Sequence, residues 1–570
     1  MRGGSGSARV NRRYRQAAMA RIHDLVVLGG GTAGLIAART AAGLGARVAL
    51  IEAERPGGDC LCVGCVPSKA LLATAGLAQR MRSADQLGLE PVEPAVDFSA
   101  VMDRVRAVIR AAGEPDLPER LAAQGIELIG ARGEFVGPAA IAAGGRTLRF
   151  RAALIATGSR PVLPPVPGLA DARPLTNETV WELSELPRRL AVIGAGSTGV
   201  ELGQAFARLG SEVAIVERLP RPLADEDHEA SALLAEVLRA ERVELRLGAA
   251  VERVEAGGDG PGALALGHAR VEFDRVLVAA GRRAETEGLG LERAGVDVRA
   301  DGAVRVDRFL RTSAPHVYAA GDVVGGLRFT HVAAYHALIV VANALFRARR
   351  RAEREWIPRV TFTEPEIARV GLGEAEARER LGGEPLVFRH DHAELDRALT
   401  AGARGFSKLV CDRRGRLLGA TIVGPAAGES IAEVARLVRE GRRVADLSQM
   451  VHAYPTFTES PARAADEWWR RRYFTPRARR LLRPLLCLSR EETAAYCAAR
   501  GETPLEDESN ASPAFLRNRV RGEILPILEE LRPGSVDRIG RFARLAADDD
   551  ALLEEVAEAE LARRRTSDGG

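Results

Sequence analysis

The chain has 570 residues, 46% of them hydrophobic, with 81 basic and 77 acidic side chains and a formal net charge of +4. That length holds about three to five domains, and the small net charge gives no argument for a nucleic-acid or membrane-surface partner. Six cysteines over this length exclude a secreted disulfide framework. With no run of about 18 apolar residues and no charged-then-apolar leader, a cytoplasmic protein without a membrane partner is expected. Residues 1–20, rich in Gly, Ser and Arg, read as a disordered tail in which Met19 is an alternative start.

Asp24–Gly34 reads DLVVLGGGTAG. Leu25–Leu28 is an apolar strand, Gly29, Gly31 and Gly34 form G-x-G-x-x-G, and Leu35–Gly45 is the following helix. The first glycine makes a tight turn, the second admits a pyrophosphate to the backbone, and the third packs helix on strand. A second strand, Arg47–Ile51, ends at Glu52, about twenty residues on, where a ribose hydroxyl is bound.

Gly57–Lys69 then reads GGDCLCVGCVPSK. Cys60 and Cys65 flank an irregular turn that can bring their Cα atoms within the roughly 4.4–6.8 Å a disulfide needs. A thiol pair beside a dinucleotide unit points to redox chemistry. Cys62, a third thiol, could exchange with Cys60, bind a soft metal, or be a simple small-residue replacement. Lys69 and Lys408 are the two lysines; every other basic residue is Arg. Lys69 is therefore read as a position that needs a compact ammonium where a planar guanidinium fails.

The dinucleotide pattern recurs at Leu190–Gly199, LAVIGAGSTG, with Gly194, Gly196 and Gly199. A helix to about Leu209, a strand at Glu212–Val216 and the acid Glu217 follow. Two units imply two dinucleotides, one the electron donor and the other the fixed acceptor. Glu217 accepts from a free 2′-hydroxyl and repels a 2′-phosphate, which favours NADH over NADPH, although the adjacent Arg218 could soften that choice.

Together these segments resemble the class I pyridine nucleotide-disulfide oxidoreductases, the family of mercuric reductase and dihydrolipoamide dehydrogenase, over about residues 20–475. The resemblance implies an α/β protein with two Rossmann-like domains, the first for FAD (21–160 and 281–350) and the second for NAD(P) (161–280). Thr157 and Gly158 mark the exit from the flavin domain, and Gly281 the return. Asp322, ending VYAAGD, is placed on the ribityl chain, and Glu201 is paired with Lys69 near the flavin N5. By the same analogy Cys65 is the flavin-side thiol, forming the charge-transfer thiolate, and Cys60 attacks the acceptor. The family's α+β dimerisation domain corresponds to residues 357–470, where strand-like Lys408–Cys411 and Leu418–Val423 precede helix Glu429–Arg439, and it implies a homodimer.

One stretch departs from the family. His452–Glu459, HAYPTFTE, stands where disulfide reductases carry H-x-H-P-T-x-x-E, so Tyr454 replaces the catalytic histidine and is expected, with Glu459, to reach across the dimer. An unperturbed Tyr titrates near 10 against about 6.5 for His, which makes it a poor proton shuttle at neutral pH. His452, two residues away, could substitute as base. Mercuric reductases also use Tyr, but their vicinal C-terminal cysteines have no counterpart among Cys411, Cys487 and Cys497. The acceptor is left as a small disulfide, a metal ion or a quinone, with no resident metal. A diaphorase or NADH oxidase with idle thiols is the competing flavoenzyme reading.

Trp468–Arg483 is rich in Trp and Arg and reads as a linker helix, with a basic linker at 471–482. From Arg483 a mainly helical tail, 483–570, resembles the later part of the tRNA(Ile)-lysidine synthase catalytic domain. The marks are Arg483-Pro484-Leu485-Leu486, Asp507-Glu508-Ser509-Asn510, and Arg517-Asn518-Arg519 with Arg521 and Pro526. That family's S-G-G-x-D-S pyrophosphate loop is missing from the sequence, so the tail cannot form an adenylate. Asn510, Arg517 and Arg519 could remain from a substrate-side surface, and tRNA is a partner only if the tail functions. A gene fusion, a frameshift or an assembly error would each produce this junction. Ile539, Phe542, Leu545 and Leu552 recur at helical spacing and read as a broken core helix pair.

Overall fold

A computed structural model describes residues 22–257, 260–473, 490–503, 516–543, 545–546 and 553. The chain divides into two units, 1–478 and 479–570. The expected tail at 1–20 lies outside the described residues.

In the first unit, β1 (Ile22–Leu28) is followed by α1 (Thr32–Gly43) and β2 (Val48–Glu52). The chain continues through α2 (Gly58–Cys62), α3 (Cys65–Arg82), α4 (Phe98–Gly113), β3 (Ile126–Gly130), β4 (Gly133–Gly137), β5 (Ala140–Ala143) and β6 (Arg146–Ile155). The sheet order is β3-β2-β1-β6-β5-β4, with β1 parallel to both β2 and β6. Successive strand residues point to opposite faces, so β1 feeds two cores. Leu25 and Val27 pack with α1, while Val26 and Leu28 pack on the other side with Phe135 and Phe150. A fully buried parallel strand must be apolar on both faces, which is why the sequence reads as a continuous run.

The second dinucleotide unit repeats this plan with β7 (Arg189–Ile193), α5 (Ser197–Leu209), β8 (Glu212–Glu217), α6 (His228–Ala240), β9 (Glu244–Leu247) and β10 (Arg275–Val278). Its strands are all parallel, in the order β9-β8-β7-β10. The chain returns to the first sheet through β11 (Val317–Ala319), beside β6, and α7 (Thr330–Phe346), which packs on α1. Ser159–Pro161 and Arg282–Ala284, the outgoing and returning connections, pair antiparallel. One continuous core joins the two nucleotide-binding parts: Leu71 of α3 and Phe98, Met102 and Val105 of α4 pack with Leu202, Phe206 and Leu209 of α5.

An antiparallel sheet completes the unit, from β12 (Arg359–Thr361), β13 (Glu366–Gly371), helix α8 (Glu374–Leu381), β14 (Leu386–Asp391), β15 (Phe406–Cys411) and β16 (Leu417–Gly424). The order is β12-β13-β16-β15-β14, covered by α9 (Ala427–Glu440) and α10 (Glu459–Tyr473). Trp468, read from sequence as part of a linker, instead packs from α10 edge-on against Phe388, at 6.0 Å. A Cβ at Gly415 would meet its ring at 2.8 Å. The last helix therefore runs to Tyr473, past the expected start of the linker at 471; residues 474–482 lie outside the described set.

In the second unit the described elements are helices Arg490–Ala499, Leu516–Arg519 and Leu525–Leu531, a π-helical turn Val520–Ile524, and a helix at 535–543. Ile539, Phe542 and Leu545, expected in a core helix pair, are exposed. The helical spacing is present, but among the described residues these side chains have no core to enter. Asn510 and Leu552 lie outside the described residues, as does the side chain of Arg517; Arg519 sits 3.6 Å from Glu523.

Lys408, on β15, is 4% exposed, and its ammonium meets three carboxylates: Glu229 at 2.5 Å, Glu374 at 2.8 Å and Asp227 at 3.0 Å. Asp227 caps α6, so this node fastens the antiparallel sheet to the second dinucleotide domain. A compact ammonium can serve three carboxylates that a planar guanidinium cannot. Removing the charge strands buried acids, and we expect Lys408→Met to destabilise by about 2–4 kcal/mol, discounted because two of the acids are partly solvated. Thermal melts should show Lys408→Met well below wild type, with Lys408→Arg recovering only part of the loss.

Candidate functional site

The two glycine loops have the same internal logic. Gly29 (φ +101°) and Gly194 (φ +105°) adopt a backbone closed to other residues. A Cβ on Gly34 would collide with the carbonyl of Gly29, and one on Gly199 with that of Gly194. The first and third glycines are therefore required by the fold. The middle ones are not: around Gly196 nothing lies within 4 Å of a Cβ, and Gly31 meets only the Gly58 Cα at 3.8 Å. Bare backbone at a helix N-terminus fits a pyrophosphate, so the residues present suit a dinucleotide in each loop. Glu52 accepts from the amides of Gly30 (2.5 Å) and Glu54 (2.8 Å). Glu217 accepts from those of Ala195 (2.7 Å) and Leu219 (2.9 Å). Each carboxylate is thus fixed at its strand end, beside its glycine loop.

The crossover residues gather at the domain junction. Thr157 donates its hydroxyl to the Glu285 carbonyl at 2.6 Å, and Gly158 (φ +74°) and Gly281 (φ +135°) take left-handed turns. Ser159 donates to the Asp322 carboxylate at 2.7 Å. Arg282 ties Ser159, Asn177 (3.0 Å) and Asp59 together. Burial pushes the Asp59 carboxyl up, against the pull of Arg282.

The thiols occupy the break between α2 and α3. Gly64 stands where a Cβ would press on the Asp59 carbonyl at 2.9 Å, and the Trp181 indole donates to the Val63 carbonyl at 2.9 Å, pinning the break. Both sulfurs are free thiols. Cys60 donates its hydrogen to the Cys65 sulfur, which brings the Cys65 pKa down to about 6, helped by Thr330 at 3.3 Å and by the Lys69 charge. The same shared hydrogen, with burial, pushes Cys60 up. Cys62 is buried, and its charged neighbours are Arg55, Asp59 and Asp116; burial raises its thiol. Gly58–Arg82 is long and apolar enough to cross a membrane by length and composition, but here it is the α2–α3 pair, with Leu71 and Ala75 in the shared core.

One turn after Cys65, the Lys69 ammonium bonds Glu201 of α5 at 2.8 Å. The second Glu201 oxygen accepts from the Phe362 amide at 2.9 Å. The expected interface residues lie apart. Tyr454 is 67% exposed and donates its hydroxyl to Asp396 at 2.7 Å, a bond that raises its pKa. Glu459 is buried and accepts from the Thr456 amide at 3.1 Å at the start of α10. His452 meets Glu433 at 2.9 Å with Nε2 and the Met450 carbonyl at 3.2 Å with Nδ1. Val451, beside it, is 98% exposed.

Thr330, Phe362 and Trp181 carry no sequence signal for the site, and Arg282 is marked only as part of Ala280-Gly281-Arg282, the return to the flavin domain. The first three reach the site from more than a hundred residues away.

Residues 23–337 match the family described as pyridine nucleotide-disulphide oxidoreductase. The chain belongs to this family. Residues 357–465 match the dimerisation domain of these pyridine nucleotide-disulphide oxidoreductases, and 471–528 match a PP-loop domain, in line with the lysidine synthase-like tail. A dihydrolipoyl dehydrogenase of Thermus scotoductus is 38% identical over 78% of this chain and 97% of its own length. A mercuric reductase of Streptomyces lividans is 37% identical over 78% and 95%. Among solved structures, LpdA of Mycobacterium tuberculosis superposes with a TM-score of 0.72 at 31% identity, covering 78% of this chain and all of its own. A Cu(II) complex of the HOCl-induced flavoprotein disulfide reductase RclA from Escherichia coli gives 0.69 at 30%, covering 77% and 98%. The pyridine nucleotide-disulphide oxidoreductases are enzymes that use FAD and NAD(P)H.

The shared hydrogen between the sulfurs has a measurable consequence. Alkylation of the reduced protein should follow an apparent pKa of about 6, a property of the coupled pair, with reactivity lost as pH falls and the Cys65 thiolate is protonated. In Cys60→Ala, which removes the donor, the midpoint should rise toward the ordinary thiol value of about 8.5. A midpoint that does not move would contradict this assignment.

Proposed function

We propose that the chain is a homodimeric, NADH-preferring flavoenzyme that passes electrons through a Cys60–Cys65 disulfide/dithiol couple to a small acceptor. The observation that carries the reading is the asymmetric thiol pair set one turn from the Lys69–Glu201 ion pair. Bound FAD supplies the two-electron chemistry between nicotinamide and sulfur. Gly29, Gly31, Gly34, Glu52, Thr157, Gly158 and Asp322 are read as its holders. Gly194, Gly196, Gly199, Glu217 and Gly281 are read as serving the nicotinamide dinucleotide. On the protein side, two electrons and two protons open the disulfide to two thiols, Cys65 then giving up its proton. Closing it again passes two electrons to the acceptor and releases the remaining proton, to solvent where the acceptor is a metal ion. Cys65 is the sulfur that carries charge, and Cys60 keeps its proton until it meets the acceptor.

Tyr454 favours a metal ion over a small disulfide or a quinone as acceptor. Its hydroxyl is committed to Asp396, and its pKa is raised rather than brought toward neutrality. A disulfide acceptor needs its leaving thiolate protonated at each turnover; a metal ion does not. The decisive variant is Cys60→Ser. NADH–dye activity should survive while turnover of Hg(II), Cu(II), quinone and small disulfides falls at least about a hundredfold, the scale of losing a nucleophile. Full retention of all these activities would favour the idle-thiol oxidase reading instead.

The preference for NADH rests on Glu217. Arg218, adjacent to it, is the cation that could soften the choice, and Arg221, three residues further on, is tied to the Glu226 and Ala224 carbonyls. In Glu217→Ala the kcat/KM ratio of NADH to NADPH should fall about tenfold, the loss of a charged hydrogen bond and of a repulsion. An unchanged ratio would remove the assignment.

A further inference from the structure

The Lys69–Glu201 pair has a third member, supplied by the dimerisation domain. We propose that Phe362 is a positioning residue for the Lys69 ammonium and, through it, for electron entry into the Cys60–Cys65 couple; this rests on the reading of Lys69 above. The ammonium lies over the Phe362 ring, 4.4 Å from its centroid, where the ring quadrupole attracts a cation. The backbone amide of the same residue donates to Glu201 Oε1 at 2.9 Å, while Glu201 Oε2 takes Lys69 at 2.8 Å. One residue thus fixes the carboxylate with its backbone and faces the ammonium with its ring.

The ring is held from behind. Glu364 donates its amide to the Gln204 side chain at 2.9 Å, Gln204 returns a bond to the Glu364 carbonyl at 2.9 Å, and Arg208 pairs with the Glu364 carboxylate. Glu201, Gln204 and Arg208 lie three and four apart, on one face of α5, and residues 362–364 run along that face. Phe362 nevertheless remains 39% exposed. The face of the ring is the part that meets the charge. The arrangement also accounts for lysine in a chain that otherwise uses arginine: a compact ammonium can meet the carboxylate and the ring centre together.

The test uses the flavin-loaded dimer in anaerobic stopped flow, read by flavin bleaching and by the long-wavelength band of the two-electron-reduced enzyme. Phe362→Leu keeps the amide and the apolar bulk but loses the π face. It should slow reduction by NADH about two- to fivefold, the scale of a partly solvated cation–π contact, with KM for NADH unchanged. Phe362→Trp should restore the rate, and Phe362→Tyr should behave as wild type. In a Lys69→Met background Phe362→Leu should add nothing, because the two act as one unit. Additive losses in that background, or a wild-type rate in Phe362→Leu, would overturn the proposal. If Lys69→Met alone reduces at the wild-type rate, the reading of Lys69 fails and the proposal goes with it, an outcome distinct from additivity. Should Phe362→Leu lose its flavin, Phe362→Met serves the same comparison.

Discussion

Lys69 and Glu201 belong to different dinucleotide domains, and their ion pair fixes how those domains meet. Lys69 rides on α3, one turn beyond Cys65, and Glu201 lies in the first turns of α5, just past the second glycine loop. A rotation of either helix would separate the charges and also move a thiol or a nucleotide loop. Partly buried ion pairs add little net stability, because desolvation offsets attraction. The hold on α3 comes from the apolar core below it, where the Phe98 and Phe206 rings stand 6.0 Å apart. The core supplies the energy and the ion pair supplies the register. A charge kept at modest net benefit in a well-packed junction is better explained by position than by stability.

The same division of labour runs through the thiol segment. The chain breaks its helix at Val63–Gly64, where Trp181 takes the freed Val63 carbonyl. The break turns two cysteines five positions apart toward each other, and a single hydrogen then serves both sulfurs. Thr330 reaches both sulfurs, while the Lys69 charge acts on Cys65, whose pKa is lowered as that of Cys60 is raised. The two thiols are pushed in opposite directions by their placement alone, since their covalent chemistry is identical.

Sequence reading reached those features whose physics is local. The glycine triplets were legible because their spacing reflects close backbone approach within a few residues, as the Gly34–Gly29 and Gly199–Gly194 contacts show. The first helix, expected from Leu35, starts at Thr32, because Gly34 packs on Gly29 from inside the helix and not from the loop before it. The Lys69–Glu201 contact, 132 positions apart in sequence, was accessible only through lysine scarcity and family resemblance. Phe362, Thr330 and Trp181 carried no local pattern and meet the site only after three separate segments have packed. Trp468 misled for a related reason. Beside a run of arginines it reads as linker, but its ring covers Gly415 and Phe388 in the sheet, and no helical period announces a single large anchor.

The departure at Tyr454 ties these observations to the chemistry. A histidine at this position would need its carboxylate partner nearby, and Glu459 is the residue the family pattern supplies. Here Glu459 is turned to the Thr456 amide at the start of α10, and the longer tyrosine reaches Asp396 instead. With tyrosine in place of histidine, no imidazole–carboxylate unit forms at this position. The metal-ion acceptor proposed above, which changes charge without needing a proton, suits a site whose tyrosine is tied to a carboxylate. A phenol paired with a carboxylate still offers oxygen donors at an exposed edge, beside Val451, where a second subunit has surface to cover.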